Sequence, residues 1–304
     1  MSSLPKDNRR GFAAALGAFF IWGLLPIYIH ALAPTPTLQI MAHRMIWACL
    51  FVFAYLAFKG ELGKVRSALR DARTLRLLLA SAVLITLNWF VYVWAVSHGH
   101  VVESSLGYFI NPLVSVLLGV FVLNEKLNRA QWSAVALAAL GVLWLTLQVG
   151  RLPWIAIALA LSFGTYGLIR KQVAVESVPG LGVETLLITP LALVYLAWTL
   201  HAGTFAFGTL GVQIDVLLVL GGAFTAIPLA LFAFGVRAVP LSTIGILQYI
   251  GPTLQLLTGV FLFHEPFTQT QLVGFGLIWA ALVVYAGDGL WRARIPVIPA
   301  KAGI

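Results

Sequence analysis

Ten stretches of about twenty apolar residues, joined by short polar segments, dominate this chain. They cover roughly 11–32, 38–58, 76–97, 104–123, 132–149, 153–169, 181–200, 213–235, 242–263 and 271–290. A helix needs roughly 20 such residues to cross a bilayer, and inside lipid a helix satisfies every backbone group internally. The pattern predicts an all-α integral membrane protein with ten transmembrane helices. Composition supports it, with 61% hydrophobic and only 10% charged residues, where a soluble domain carries about 25% charged. So much apolar surface cannot be covered in water, which excludes a cytosolic enzyme, a disordered chain and a disulfide scaffold. The single cysteine, Cys49, lies in an apolar run and offers no thiolate metal cluster. The first span runs straight into the series and is followed by no small-residue cleavage motif, so it reads as a span and not as a signal peptide.

A net charge of +9 would suggest nucleic acid in a soluble protein, but the placement of the charge argues for topology instead. With the N-terminus in the cytoplasm, 17 of the 19 Lys and Arg residues fall in cytoplasmic segments, six of them between Lys59 and Arg76. Only Arg151 falls outside, and Arg44 lies within the second span. Both termini are therefore expected on the cytoplasmic side by the positive-inside rule. Anionic lipid headgroups suffice as partner for the basic loops, with no nucleic acid required.

The chain also repeats itself. Ile110, Pro112, Leu117, Gly119, Val120, Phe121, Glu125 and Gln131 recur 140 residues later as Ile250, Pro252, Leu257, Gly259, Val260, Phe261, Glu265 and Gln271. Val96 and Val236 share that offset, and Trp22-Gly23-Leu24 matches Tyr166-Gly167-Leu168 at an offset of 144. Two five-helix halves follow, 1–149 and 150–290, with a short tail at 291–304. Five is odd, so the second half enters the membrane inverted. Inverted repeats with a central binding site are a recurrent plan of secondary transporters.

Four runs carry a resemblance: His43–Trp47 (HRMIW), Asn88–Gly119, Ser162–Lys171 (SFGTYGLIRK) and Leu247–Gln255 (LQYIGPTLQ). In these the chain resembles the RarD family, in the EamA branch of the drug/metabolite transporter superfamily. The resemblance implies two inverted five-helix repeats and a multi-pass protein of the bacterial inner membrane. It also implies a carrier of a small organic metabolite or drug, often labelled a chloramphenicol-sensitive or resistance permease. The family often has Glu four residues before the His-Arg pair; here that position is Gln39.

Ionisable groups inside a membrane are costly and usually face a cavity or a partner. Arg44 is the outstanding one, read either as a fixed cation for an anionic solute or the outer gate, or as an arginine that snorkels or pairs with Glu103. His43, Glu103 and Glu265 are further candidates for a gate or a proton-linked role, with helix packing the plainer reading for His43. In the fourth span, Glu103, Gly107, Asn111, Ser115 and Gly119 recur every four residues along one face. Tyr108 and Pro112 accompany them, and the ninth span repeats the device with Gln248, Tyr249, Gln255 and Pro252. Each proline removes a backbone donor and is expected to kink its helix. Close helix packing explains the glycines but not Asn111, Gln248 and Gln255. Asn88 and Tyr92 on the third span and Tyr166 on the sixth complete the expected solute path, since rings with a polar tip suit a flat organic solute. The fifth and tenth spans, nearly without polarity, read as scaffold or as a subunit contact in a homodimer.

No metal-binding or glycine-rich phosphate motif is present, nor any pairing of nucleophile and base, so no catalytic residue, metal or cofactor is expected. The reading is a secondary transporter, an exporter or permease working by alternating access. Its alternatives are a non-transporting membrane scaffold and an intramembrane enzyme acting on lipid.

Overall fold

The structure, a computed structural model, describes residues 6–98, 100–148, 153–264 and 267–294, and all regular structure among them is helical. The first half holds α1 (Lys6–Gly23), α2 (Leu25–Ala31), α3 (Thr37–Phe58), α4 (Leu62–Arg70), α5 (Ala72–Ser97), α6 (Val101–Phe121) and α7 (Arg129–Leu147). The second holds α8 (Trp154–Gln172), α9 (Ser177–His201), α10 (Val212–Ala238), α11 (Leu241–Gln248), α12 (Ile250–Phe261) and α13 (Gln269–Arg294). Eight segments among the described residues are long and apolar enough to cross a membrane, counting α1 with α2 and α11 with α12 as single spans. The fourth expected span is α6, whose apolar part Ser105–Phe121 is shorter, and the sixth is α8, whose last turn carries Arg170 and Lys171.

The packing of these helices follows the sequence repeat. An offset of 140 to 144 residues turns α3 into α9, α5 into α10, α6 into α11–α12, α7 into α13 and α1–α2 into α8. Its most extensive contacts are exchanged by that operation: α1 with α10 becomes α8 with α5, α6 with α8 becomes α12 with α1, and α3 with α10 becomes α9 with α5. The remaining large contacts, α3 with α9, α6 with α11 and α7 with α13, pair each helix with its own counterpart.

Local chemistry shapes three departures from straight spans. The first run bends at Leu24, between α1 and α2, where Pro26 stands in the first turn of α2. A proline has no N–H for the carbonyl four residues back, here that of Trp22. The Gln255 side chain donates to that carbonyl instead, at 3.2 Å. The ninth run likewise breaks at Tyr249, because Pro252 cannot bond the carbonyl of Gln248. Pro112, its counterpart, lies inside an unbroken α6, so only one of the two expected kinks interrupts its helix. The third departure corrects the reading of 59–76 as a loop: α4 is an amphipathic helix there, burying Val65 and Ala68 against its neighbours. Lys64 ties it to Glu176 and Glu61, both at 2.8 Å.

Glycines set how close the long helices come. A Cβ on Gly222 would lie 2.5 Å from the Trp47 backbone and side chain, so α10 can lie against α3 only with glycine there. On Gly245 it would lie 2.6 Å from the Pro112 carbonyl oxygen, which fixes α11 against α6. At the core, Phe19, Trp22, Phe163, Tyr166 and Phe232 form one aromatic cluster with ring centroids 5.2–6.0 Å apart. Along the outer surface, Trp132, Leu140, Leu143, Leu147, Leu272 and Val283 leave α7 and α13 broadly apolar and exposed, as lipid requires.

Candidate functional site

A cavity of about 830 Å³ lies between the two halves, within the size range of small-molecule sites. Its walls come from α1, α2, α3, α5, α6, α8, α10, α11 and α12. Ile29, His30, Thr37 and Phe263 lie at its rim, at the helix ends opposite the basic segments. Phe19, Trp22 and Phe163, members of the aromatic cluster, form its floor. Aromatic rings are large and stiff, and this plug separates the cavity from the basic end of the molecule.

Among the described residues, Arg44 is the one cationic side chain with a fixed charge on the wall, and no Asp or Glu lines it. The residue is 4% exposed. Its Nε donates to Thr225 Oγ1 at 2.9 Å, and the Thr225 hydroxyl donates in turn to the Gly221 carbonyl at 2.8 Å. A weak contact joins Nη1 to Met41 Sδ at 3.7 Å. The guanidinium thus turns inward to α10 instead of snorkelling to a membrane face. Among the described residues it has no carboxylate partner within salt-bridge distance.

Four amides share the wall with it. Asn88 Nδ2 donates to the Leu159 carbonyl at 2.8 Å and to Ser162 Oγ at 2.9 Å, linking α5 to α8. Gln248 Oε1 accepts from Ser115 at 3.0 Å, linking α11 to α6. Gln248 Nε2 and Asn111 Oδ1 are buried and have no partner among the described residues. An orphaned donor and an orphaned acceptor on facing helices are costly unless something else satisfies them. Tyr92 and Tyr108 meet edge to face, with centroids 5.9 Å apart, on the same wall.

The basic end is closed by polar contacts. Both carboxylate oxygens of Glu125 accept the first backbone N–H groups of α11, from Leu241 at 2.7 Å and Ser242 at 2.8 Å, and the Ser242 hydroxyl adds a bond at 2.7 Å. An acid at a helix N-terminus also complements its dipole. Lys171 donates to the carbonyls of Val236 and Val239 at 2.9 and 2.6 Å, with Glu125 at 3.9 Å. Beside them Glu184 accepts from Ser81 and lies 3.6 Å from Arg170, both members of the ion pair almost fully buried. Arg237 donates to the carbonyls of Val173 and Val175.

Of the residues singled out from sequence, Arg44, Asn88, Tyr92, Tyr108, Asn111, Gln248, Gln255 and Pro252 come together on the cavity wall. Tyr166 and Tyr249 do not. Tyr166 packs against Phe232 in the aromatic cluster, and Tyr249 is fully buried on the side of α7 and α13. Ser115 reaches the site only through Gln248, and Pro112 lies behind Asn111. His43 stacks on Phe207 at 5.2 Å, off the cavity wall. Glu265 and the side chain of Glu103 lie outside the described residues. Gln39 holds the 202–211 segment through the Thr204 carbonyl at 2.6 Å and the Ala206 N–H at 2.8 Å. Thr225 and the second span as a wall element were missed. The adjacent Gly221-Gly222, one turn before Thr225, carried the signal of a close helix approach.

A multi-pass helical protein with a central, one-ended cavity belongs to the class of membrane transporters, and comparison with known proteins agrees. Residues 9–147 match the model of the EamA-like transporter family. The chain is 46% identical to the uncharacterized transporter YojE of Bacillus subtilis, covering 92% of this chain and 94% of that one. It is 44% identical to protein RarD of Streptomyces exfoliatus (95% and 92% covered) and 38% identical to protein RarD of Escherichia coli (95% and 98%). A solved crystal structure shares the fold, with a TM-score of 0.70 at 19% identity over 93% of this chain and 99% of that one. The chain belongs to the RarD family, within the EamA-like transporters. It is a membrane transporter, and its setting is a bilayer.

Proposed function

We propose that the protein is a secondary carrier that moves a small organic metabolite or drug across the bacterial inner membrane by alternating access. Its working parts are two inverted five-helix repeats, 1–149 and 150–290, followed by the tail 291–304. Both termini face the cytoplasm, so the closed basic end is the cytoplasmic one and the cavity faces outward. The observation that carries this reading is the asymmetry of the cavity: rimmed at one end and sealed at the other by the aromatic cluster and the Glu125 contacts. A channel would need a path through both ends. The exchange of helix contacts under the repeat offset supplies the matching second conformation, in which the other end would close. Asn88, Tyr92, Tyr108, Asn111, Gln248 and Gln255 contact solute in this reading, and His43, Glu103 and Glu265 are its candidates for a gate or proton-linked group. The proposed direction is export.

Counterflow in proteoliposomes tests the reading. Vesicles preloaded with an unlabelled solute should accumulate the labelled one transiently, and Asn111→Ala should reduce the rate at least tenfold. Flux that never saturates, equal from both sides, would instead indicate a pore. Absence of flux across amino acids, carboxylates, amines and chloramphenicol, in protein shown to be folded, would favour a scaffold.

A further inference from the structure

We infer that the solute is an organic anion, an aromatic or similarly flat carboxylate, and that Arg44 is its counter-ion. The inference rests on the carrier reading above and narrows its substrate class. Arg44 presents five N–H donors in a fixed fork, a shape matched to a carboxylate. Thr225 takes Nε, and the Met41 sulfur is a weak acceptor for Nη1 at 3.7 Å. Arg44 lines the cavity, and no strong acceptor among the described residues takes Nη1 or Nη2.

The surroundings fix the sign of the ligand. A charge at membrane depth without a counter-charge is costly and normally carries a function. Here the wall holds a permanent cation and, among the described residues, no carboxylate, so an empty cavity keeps that cost and a bound anion relieves it. A cationic solute would meet Arg44 as a like charge with no carboxylate among the described wall residues to offset it. The amides on the wall are neutral: the orphaned Gln248 Nε2 and Asn111 Oδ1 suit a neutral polar substituent away from the acid group. Trp22, Trp89, Tyr92, Tyr108 and Phe163 supply flat faces for an apolar body. The relay from Gly221 through Thr225 to Nε holds the fork in one orientation, as bidentate recognition needs.

The test uses matched pairs that differ only in charge: benzoate, 3-phenylpropionate and indole-3-acetate, each beside its primary amide, with phenethylamine as the cation. Purified protein in proteoliposomes is assayed for counterflow, and its thermal stabilisation by each compound is measured in detergent. At least one acid should exchange ten or more times faster than its amide and raise Tm more. Arg44→Gln should erase that preference, and Arg44→Lys, which keeps the charge but loses the fork, should retain part of it. The native acid-to-amide comparison stands even where Arg44→Gln fails to fold. Equal or better exchange of amides or of the amine overturns the anion and leaves the carrier standing. No exchange and no stabilisation by any compound overturns the anion. The counterflow survey over amino acids, amines and chloramphenicol then decides separately whether the carrier reading falls too.

Discussion

Single side chains divide into those whose role follows from type and depth and those whose role depends on a neighbour. Arg44 belongs to the first group: an arginine eight residues into a membrane helix was legible as exceptional, and it lines the cavity. Tyr166 and Tyr249 belong to the second. A tyrosine beside polar residues on a helix can face either way, and only the turn at Tyr249 and the stack on Phe232 send these two into packing. The Tyr249 hydroxyl is buried without a partner. Tyr249→Phe should therefore stabilise the protein by about 1 kcal/mol, because a desolvated, unpaired hydroxyl is removed and the ring is kept. Thermal unfolding in detergent reads this, and a lower Tm would mean that the hydroxyl has a partner. Gly119 carries the opposite expectation. A Cβ there would lie 2.6 Å from Glu125 Oε2 and 2.9 Å from the Ser242 nitrogen. Gly119→Ala should speed hydrogen exchange of the Leu241 and Ser242 amides at least tenfold, where a glycine serving only helix packing would leave those two amides no worse than their neighbours.

Whole helices were the most legible level, since apolar length alone gave nearly all of their positions. Their interruptions were harder to read. Two prolines in one repeated motif suggested two kinks, yet α6 continues past Pro112 while the ninth span breaks before Pro252. The difference follows from what surrounds each helix: α6 is held along its length by α8 and α11, whereas α12 has α1 and α2 as its neighbours. Amphipathic α4 was hidden because a basic stretch between spans reads as a loop until Val65 and Ala68 find a surface to bury. Pro252→Ala would restore an N–H able to bond the Gln248 carbonyl. It should join α11 to α12, raise Tm, and slow counterflow several-fold by stiffening the segment that carries Gln248 and Gln255. Unchanged transport with a raised Tm would show that the break is dispensable.

At the scale of the molecule, helices related by the sequence repeat make related contacts, but the repeat gave no sign of which end would be closed. The closure depends on Lys171, Glu125 and the start of α11, residues far apart in the chain, of which charge counting had taken Lys171 for topology alone. Side-specific labelling can check the conformation. In a Cys49→Ala background, a cysteine at Asn111 should react with a membrane-impermeant maleimide from the periplasmic side only. Adding Glu125→Gln should expose it to the cytoplasmic side as well, because a neutral amide accepts backbone N–H groups more weakly than a carboxylate. Labelling from the cytoplasm in the Cys49→Ala background alone would contradict the sealed end. One carboxylate at that end serves two amides and a hydroxyl, with an ammonium close by, so these contacts are gained or lost as a set. For a carrier, such a cluster acts as a set-point for the resting population. Each 1.4 kcal/mol added or removed there shifts the ratio of the two orientations about tenfold, without touching the affinity of the cavity for its solute.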